Sequence, residues 1–318
     1  MTCGKPDVTV LIVGYYSQEF LPSCLTALER ASAGLNSEIL FIDNGDGESD
    51  ALVRQLCPAA RIVPGQGNIG FGAANNLLAK QAQGRWLLLL NPDTEIEPGA
   101  IGYLLEAART HPEFGILGGM TVTDRNTGSL LPPLSPPGPG TAIRGMFGAA
   151  RQQWKLSGSE QLVPVQVTSG GFMLVERDVW RRLGGFDERF FLYGEDFDLC
   201  TRARNIGVGV GIVPGAKAFH AIGSGAPYSP QRLTSQMRGN ATYVRKHYRQ
   251  PSGTLVLALL WLSVCVRLFG AMLLQLGSEH YRRMFRGYVP LAFKPQRWFA
   301  GYSDTKCAER ARDRDFRT

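Results

Sequence analysis

With 318 residues, 44% of them apolar and 19% charged, the chain is too hydrophobic for a disordered polymer, and it is long enough to bury one large α/β core plus an extension. Its six cysteines (Cys3, Cys24, Cys57, Cys200, Cys265, Cys307) form no close pair, which argues against a metal cluster or redox motif and reads as scattered reduced thiols of a cytosolic protein. The formal net charge of +7 hides an asymmetry: residues 1–231 carry 18 Lys/Arg against 22 Asp/Glu, whereas residues 232–318 carry 16 against 5.

Met1 to Asp7 lacks a long apolar run behind a basic cluster, so no secretory signal is expected. Val8 to Val13 is an unbroken β-branched and apolar run, which predicts a strand buried on both faces. Ser17 offers an N-cap to a helix in which Phe20, Leu21, Cys24, Leu25 and Leu28 recur at helical spacing. Ile39 to Ile42 predicts a second strand ending at Asp43-Asn44, Asp50 to Leu56 a helix, and Ala60 to Val63 a third strand. Asn75 to Gln83 has helical composition, and Trp86 to Leu90 is a fourth buried strand that closes on Asn91-Pro92-Asp93. A helix follows from Ala100 to Arg109, and Leu130 to Gly140, dense in proline and glycine, predicts a loop. Ser169 to Val175 and Val208 to Val213 predict strands, Val179 to Leu183 a short helix, and Thr234 to Tyr248 an amphipathic helix. Strands alternating with helices predict an α/β fold with a mostly parallel sheet flanked by helices. No internal repeat is present.

The basic C-terminal quarter also contains the most apolar segment, Gly253 to Gly277. Thr254 to Leu276 is about long enough to span a bilayer, yet Arg267 in its C-terminal half would be costly in hydrocarbon. A span, a helix lying on a membrane and a helix packed on the rest of the protein all remain open. Basic residues flanking an apolar stretch favour an anionic lipid surface over nucleic acid, whose basic tails more often lack an apolar segment. The expected division is residues 1–250 for the sheet-bearing domain and 251–318 for an apolar, basic helical extension that associates with membrane.

In open α/β sheets, ligands bind beyond the carboxyl ends of the strands. That rule gathers Gly14-Tyr15-Tyr16, Asp43-Asn44, Gly65 to Gly70 and Asn91 to Asp93 into one crevice. A ring to stack on a base, carboxylates, amides and glycines that admit close backbone approach together suit a nucleotide. Gly65-Gln66-Gly67-Asn68-Ile69-Gly70 matches a dinucleotide-binding string, but that fingerprint belongs in the first strand-to-helix turn, so hydride transfer is disfavoured. Asp93 closes an apolar strand, where a carboxylate is positioned to bind Mg²⁺ or Mn²⁺ between diphosphate oxygens; a turn cap set up by Pro92 is the equal alternative. Glu195-Asp196-Phe197-Asp198 follows Phe190-Phe191-Leu192-Tyr193, and aromatic walls raise a carboxylate pKa towards the range of a general base. Asp198 and Arg202, four apart on a helix, read as a structural pair. His220 stands alone after a strand, where a structural role competes with that of a third group near a diphosphate-bound metal.

Several separated motifs in order make the chain resemble glycosyltransferase family 2, with the GT-A fold, over roughly residues 7–250. They are Val8 to Tyr16, Asp43-Asn44, Asn68-Ile69-Gly70-Phe71 with Asn75-Asn76, Leu87 to Thr94, Ser169 to Leu174 and Gly184 to Arg202. The chain looks most like bacterial rhamnosyltransferase-like members that build cell-surface polysaccharides. The resemblance implies an inverting transfer from a nucleoside-diphosphate sugar, dTDP- or UDP-linked, at the cytoplasmic face of the plasma membrane. Tyr15, Asp43, Asn44, Asn68, Gly70, Asn75, Asn91 and Asp93 would line the nucleotide and donor site, with Asp43 on the base. Gly171 and Phe172 would border donor sugar and acceptor. Asp93 would match the last aspartate of the D-x-D-type metal motif, with His220 as a further metal ligand. Asp196, beside Glu195, would be the base that deprotonates the acceptor hydroxyl.

Two positions depart from the family pattern: Asn91 stands where the metal motif begins with aspartate, and Gly14-Tyr15-Tyr16 stands where N-Y-N is usual. The combined expectation is a metal-assisted transfer of rhamnose or another hexose to a saccharide or lipid-linked acceptor, with no nucleic-acid partner. An inactive nucleotide-sugar sensor or scaffold is the non-enzyme alternative. A sugar nucleotidyltransferase is the enzyme alternative, though the glycine-rich basic loop it needs after strand one is absent.

Overall fold

In the computed structural model, residues 4–125, 127–146, 161–220 and 228–302 are described. The chain opens with β1 (Val8–Gly14), α1 (Leu21–Ala31), β2 (Ser37–Asp43), α2 (Glu48–Leu56), β3 (Arg61–Ile62), α3 (Phe71–Gln81) and β4 (Trp86–Leu90). It continues with β5 (Thr94–Ile96), α4 (Ala100–Thr110), β6 (Phe114–Asp124), β7 (Ser129–Leu130), α5 (Pro139–Met146), β8 (Val163–Pro164) and β9 (Phe172–Glu176). Then come α6 (Arg177–Leu183), α7 (Glu195–Asn205), β10 (Gly209–His220), α8 (Pro230–His247), α9 (Ser252–Leu274), α10 (Glu279–Phe293) and α11 (Gln296–Phe299).

The unbroken apolar strands are apolar because both faces are covered. Along β1, Val8, Val10 and Ile12 join one core with α1 and α4, while Leu11 and Val13 join the other with α3, α6 and α7. Side chains alternate across a strand, so β4 divides the same way: Trp86, Leu88 and Leu90 on one side, Leu87 and Leu89 on the other. The sheet runs β3-β2-β1-β4-β9-β6-β10-β5. Its first four strands are parallel. β9 then enters antiparallel to both β4 and β6, β10 runs parallel to β6, and β5 returns antiparallel to β10. The result is a mixed α/β sheet with a parallel half and a mixed half.

Several local expectations are corrected. Ser17 is not the N-cap of α1: Phe20 holds that position with Pro22 close behind, and the Ser17 carbonyl accepts from the Phe20 and Leu21 amides. β5 and α10 had no counterpart in the sequence pattern. Neither had β6, because Gly115, Gly118 and Gly119 dilute its apolar run. Those glycines are there for packing: a Cβ at Gly118 would run into Thr168, and one at Gly119 into the Phe172 ring.

Two compact units divide the chain. The first runs through Leu134, resumes with the segment that ends at Glu188 and includes Asp196 to the end of β10; it holds the sheet. The second takes the segment from Ser135 that contains α5, residues Arg189–Glu195, and the chain from α8 onward. Within it, α9 and α10 pair antiparallel: Trp261 Nε1 donates to the Ala292 carbonyl (3.0 Å), while further along Arg267 Nη1 donates to the Tyr288 hydroxyl (2.9 Å). Arg267 Nε also donates to the Gly145 carbonyl in α5 (2.7 Å). Tyr302 ties the aromatic segment to this unit by donating to the Leu192 carbonyl (2.6 Å).

Candidate active site

The turn after β4 is built by its neighbours in the sheet. β9 runs antiparallel to β4 with Phe172 opposite Leu90, so the Asn91 amide reaches the Gly171 carbonyl (2.9 Å). A Cβ at Gly171 would sit 2.9 Å from Asn91 Nδ2, so a side chain there would push the Asn91 amide group aside. The Thr94 amide bonds back to the Asn91 carbonyl (3.1 Å), closing the turn, and β5 begins at once. β5 pairs with the end of β10 in the register Thr94↔His220. That register brings His220 Nε2 to 3.0 Å from Asp93 Oδ2, with both side chains about a quarter exposed at 21% and 26%. The other oxygen, Asp93 Oδ1, is buried and has no hydrogen-bond partner.

A buried carboxylate oxygen without a donor is costly, and such a group in a site open on one side asks for a ligand. An oxygen donor beside an imidazole suits a divalent cation whose remaining positions are filled by phosphate and water. Among the described residues no three His, Cys, Asp or Glu converge, and within that set Asp93 and His220 are the two groups at hand. Cys24 lies under the turn, its Sγ 3.6 Å from the Asn91 carbonyl, and is not a third ligand: burial first, then the Asp93 charge, push its thiol up to about 12.

Asp196 is near the N-terminus of α7 and bonds through the backbone to the segment that leads into β9. Its Oδ1 accepts from the Phe197 amide (2.8 Å), and the Gly170 backbone, one residue before Gly171, also bonds to it. Burial pushes its carboxyl up to about 6, against the pull of those backbone donors. A carboxyl of that strength is mostly ionised at neutral pH and still basic enough to accept a hydroxyl proton. Glu195, which opens α7, is only 6% exposed. Asp198 is fully buried and bonds Arg202 (2.7 Å), whose guanidinium also donates to the Leu183 (2.6 Å) and Gly185 (2.8 Å) carbonyls. The structural pairing expected for Asp198 is therefore what forms.

The ends of β1 and β2 carry the residues expected to meet the nucleotide. Tyr15 and Tyr16 stack edge to face (4.7 Å), and Tyr16 takes a left-handed φ of 45°. Asp43 is 3% exposed, with Oδ1 accepting from the Gly45 amide (2.7 Å) and Oδ2 from the Ser49 amide in the first turn of α2 (3.0 Å). Both oxygens thus already shape the loop after β2, and each keeps a second lone pair. Asn44 and Asn68 clasp each other (3.1 Å) and hold the Ile69 and Gly70 amides, both at 3.1 Å. Gly70 takes a φ of 88° just before α3, which explains a helix that starts at Phe71, earlier than its composition suggests.

Two expected site residues are buried within the fold. Phe172 is 3% exposed in the core, and the Asn75 amide donates to the Phe71 carbonyl of its own helix (3.0 Å). The residue sequence reasoning passed over is Asn76. Its side chain makes a two-way clasp with the Phe186 backbone, donating at 2.9 Å and accepting at 3.0 Å, and so anchors the Gly184-Gly185-Phe186 turn ahead of α7. Only its placement beside Asn75 hinted at it.

Comparison with known proteins bears on the family and the fold. The profile of glycosyl transferase family 2 matches residues 9–184, and one described as the N-terminal domain of galactosyltransferase matches residues 159–222. An N-acetylglucosaminyl-diphospho-decaprenol L-rhamnosyltransferase of Mycobacterium tuberculosis is 34% identical over 69% of this chain and 76% of its own length. Rhamnosyltransferase WbbL of Escherichia coli is 26% identical over 68% of this chain and 82% of its own. A mannosyltransferase of Pyrobaculum calidifontis, solved with GDP-Man and Mn²⁺, superposes with a TM-score of 0.58 at 16% identity, covering 93% of this chain and 88% of its own.

Proposed function

The chain belongs to glycosyltransferase family 2, and from that premise we propose an inverting, cation-assisted transfer of rhamnose or another hexose from a dTDP- or UDP-linked donor to a saccharide or lipid-linked acceptor. The observation that carries this reading is the Asp93–His220 pair with its orphaned buried oxygen. Asp93 and His220 are the residues that would hold Mg²⁺ or Mn²⁺, which when bound neutralises the charge gathering on the departing diphosphate. Asn91 in place of an aspartate leaves the pair with a single carboxylate, so the phosphates must supply more of the coordination.

Tyr15, Asp43, Asn44, Asn68 and Gly70 form the nucleotide end of this site, and Gly171 lets the donor approach the turn after β4. Asp196 takes the proton from the acceptor hydroxyl as that oxygen attacks the anomeric carbon from the face opposite the leaving diphosphate. The Phe197 and Gly170 backbone groups orient its carboxylate towards that proton. Glu195 is the neighbouring acid of the same motif. Residues 1–250 carry the transfer and 251–318 associate with membrane. The mycobacterial relative is named for a diphospho-decaprenol saccharide, which supports a lipid-linked acceptor here and, with it, a reaction at the inner face of the plasma membrane.

Purified protein screened against a panel of nucleotide sugars, with Mn²⁺, Mg²⁺ or chelator, tests this function. Transfer that needs the cation and yields the opposite anomeric configuration supports it. Cation-independent transfer, or retained configuration, overturns the corresponding part.

A further inference from the structure

The second unit carries a surface that the transfer reaction does not use. α9 is apolar all round, with a mean hydropathy of 2.2 over its most apolar 18 residues, yet only a third of that window is buried. Its covered face, Val256, Leu260, Val264 and Ala271, packs with the neighbouring helices. Leu255, Leu262, Val266, Phe269 and Leu273 recur three to seven residues apart and stay exposed, forming one stripe, and Leu276 in the turn just beyond the helix is exposed as well. Phe269 is 58% exposed, Leu273 62% and Leu276 94%, values that water disfavours for so many apolar side chains in a row. Phe293 at the end of α10 is 75% exposed, next to Ala292, whose carbonyl holds the half-exposed Trp261.

We infer that α9 and α10 form an in-plane docking surface for an anionic phospholipid bilayer, with the α9 stripe sunk into the interface and the helix not spanning it. The inference rests on the membrane association proposed above and fixes its geometry. Charge complementarity selects the occupant: from Arg232 to Tyr302 the chain has eleven Lys/Arg and one acidic residue, Glu279. Arg282, Arg283 and Arg286 on α10 are exposed or half-exposed beside Glu279, and Lys294 follows the helix. An exposed apolar stripe with cations on the neighbouring helix is suited to shallow insertion among anionic head groups. Arg267 argues against a span. Its guanidinium is already bonded to the Gly145 carbonyl and the Tyr288 hydroxyl, and α5 and α10 cover that side of the helix. A span would strip those partners away and leave a bare charge in hydrocarbon.

The full chain floated with vesicles tests this, comparing phosphatidylcholine mixed with phosphatidylglycerol against phosphatidylcholine alone. Binding to the anionic vesicles, release by alkaline carbonate, and about a tenfold or greater drop in partitioning for Phe269→Glu with Leu273→Glu are expected. Both side chains are exposed, so circular dichroism and transfer to a soluble acceptor should be unchanged in that variant. Equal binding to neutral vesicles overturns the anionic occupant. Resistance to carbonate overturns in-plane docking while leaving membrane association standing. Absence from both kinds of vesicle overturns membrane association itself, and if the protein is then a dimer that the double variant splits, a second copy covers the stripe.

Discussion

Two acid–base pairs in the sheet-bearing unit look alike in sequence terms and differ in what their hydrogen bonds leave over. Asp198 and Arg202 close their account: the carboxylate is fully buried, and the guanidinium also fills two backbone carbonyls of the turn after α6. Asp93 and His220 do not. Their contact uses one carboxylate oxygen and leaves the other buried and bare, with both side chains partly open. A satisfied pair stabilises the fold, whereas a pair with a residual donor deficit is held ready for a ligand. Asp196, two residues from Asp198, differs from both: it accepts from the Phe197 and Gly170 backbone, and burial raises its carboxyl to about 6.

Breaking the pairs should therefore give opposite signatures. The largest effect is expected for Asp196→Asn, with turnover lower by about 10²–10⁴-fold and donor binding retained. Because its folded pKa is raised, ionising Asp196 works against folding as pH rises through about 6, so the thermal midpoint of this variant at pH 7 should hold or increase. Unchanged turnover would remove Asp196 as the base. Asp198→Asn should do the reverse and cost about 3–5 kcal/mol in denaturant unfolding by leaving the Arg202 charge uncompensated; a variant as stable as the parent sinks the structural reading. Asp93→Asn should lower cation-stimulated transfer by roughly 100-fold with little change in stability, and His220→Gln should weaken the apparent cation affinity by about 10–100-fold. Titration of cation dependence separates these two from any folding defect. The smallest effect is on pH: below about 6 the parent's turnover should fall roughly tenfold per unit as Asp196 takes up its proton, and a flat acid limb would contradict the base assignment.

The parallel half of the sheet was legible because each strand is bounded locally. Trp86 to Leu90 is apolar at every position and Val8 to Val13 at all but Thr9, and the turns that follow them carry the polar residues. β6 was not, since its three glycines are explained only by the side chains of Thr168, Phe172 and Val179 packed over them. Among site residues, Asp93 and Asp196 stood out as carboxylates at the ends of apolar or aromatic runs. Asn76 did not, because its partner, the Phe186 backbone, is 110 residues away.

The sequence by itself determined that an α/β sheet forms, that polar residues follow its first strands, and that the C-terminal quarter is both apolar and basic. Hydropathy period and charge are local properties, and a reader of the chain can follow them residue by residue. Only the tertiary structure decided which carboxylate stays open. The β5–β10 register sets His220 against Asp93, the β4–β9 register brings Gly171 to the turn after β4, and α5 and α10 both bond Arg267. Each of these joins segments far apart in the chain, and long-range pairing is chosen by the packing of the whole unit, which no local pattern records.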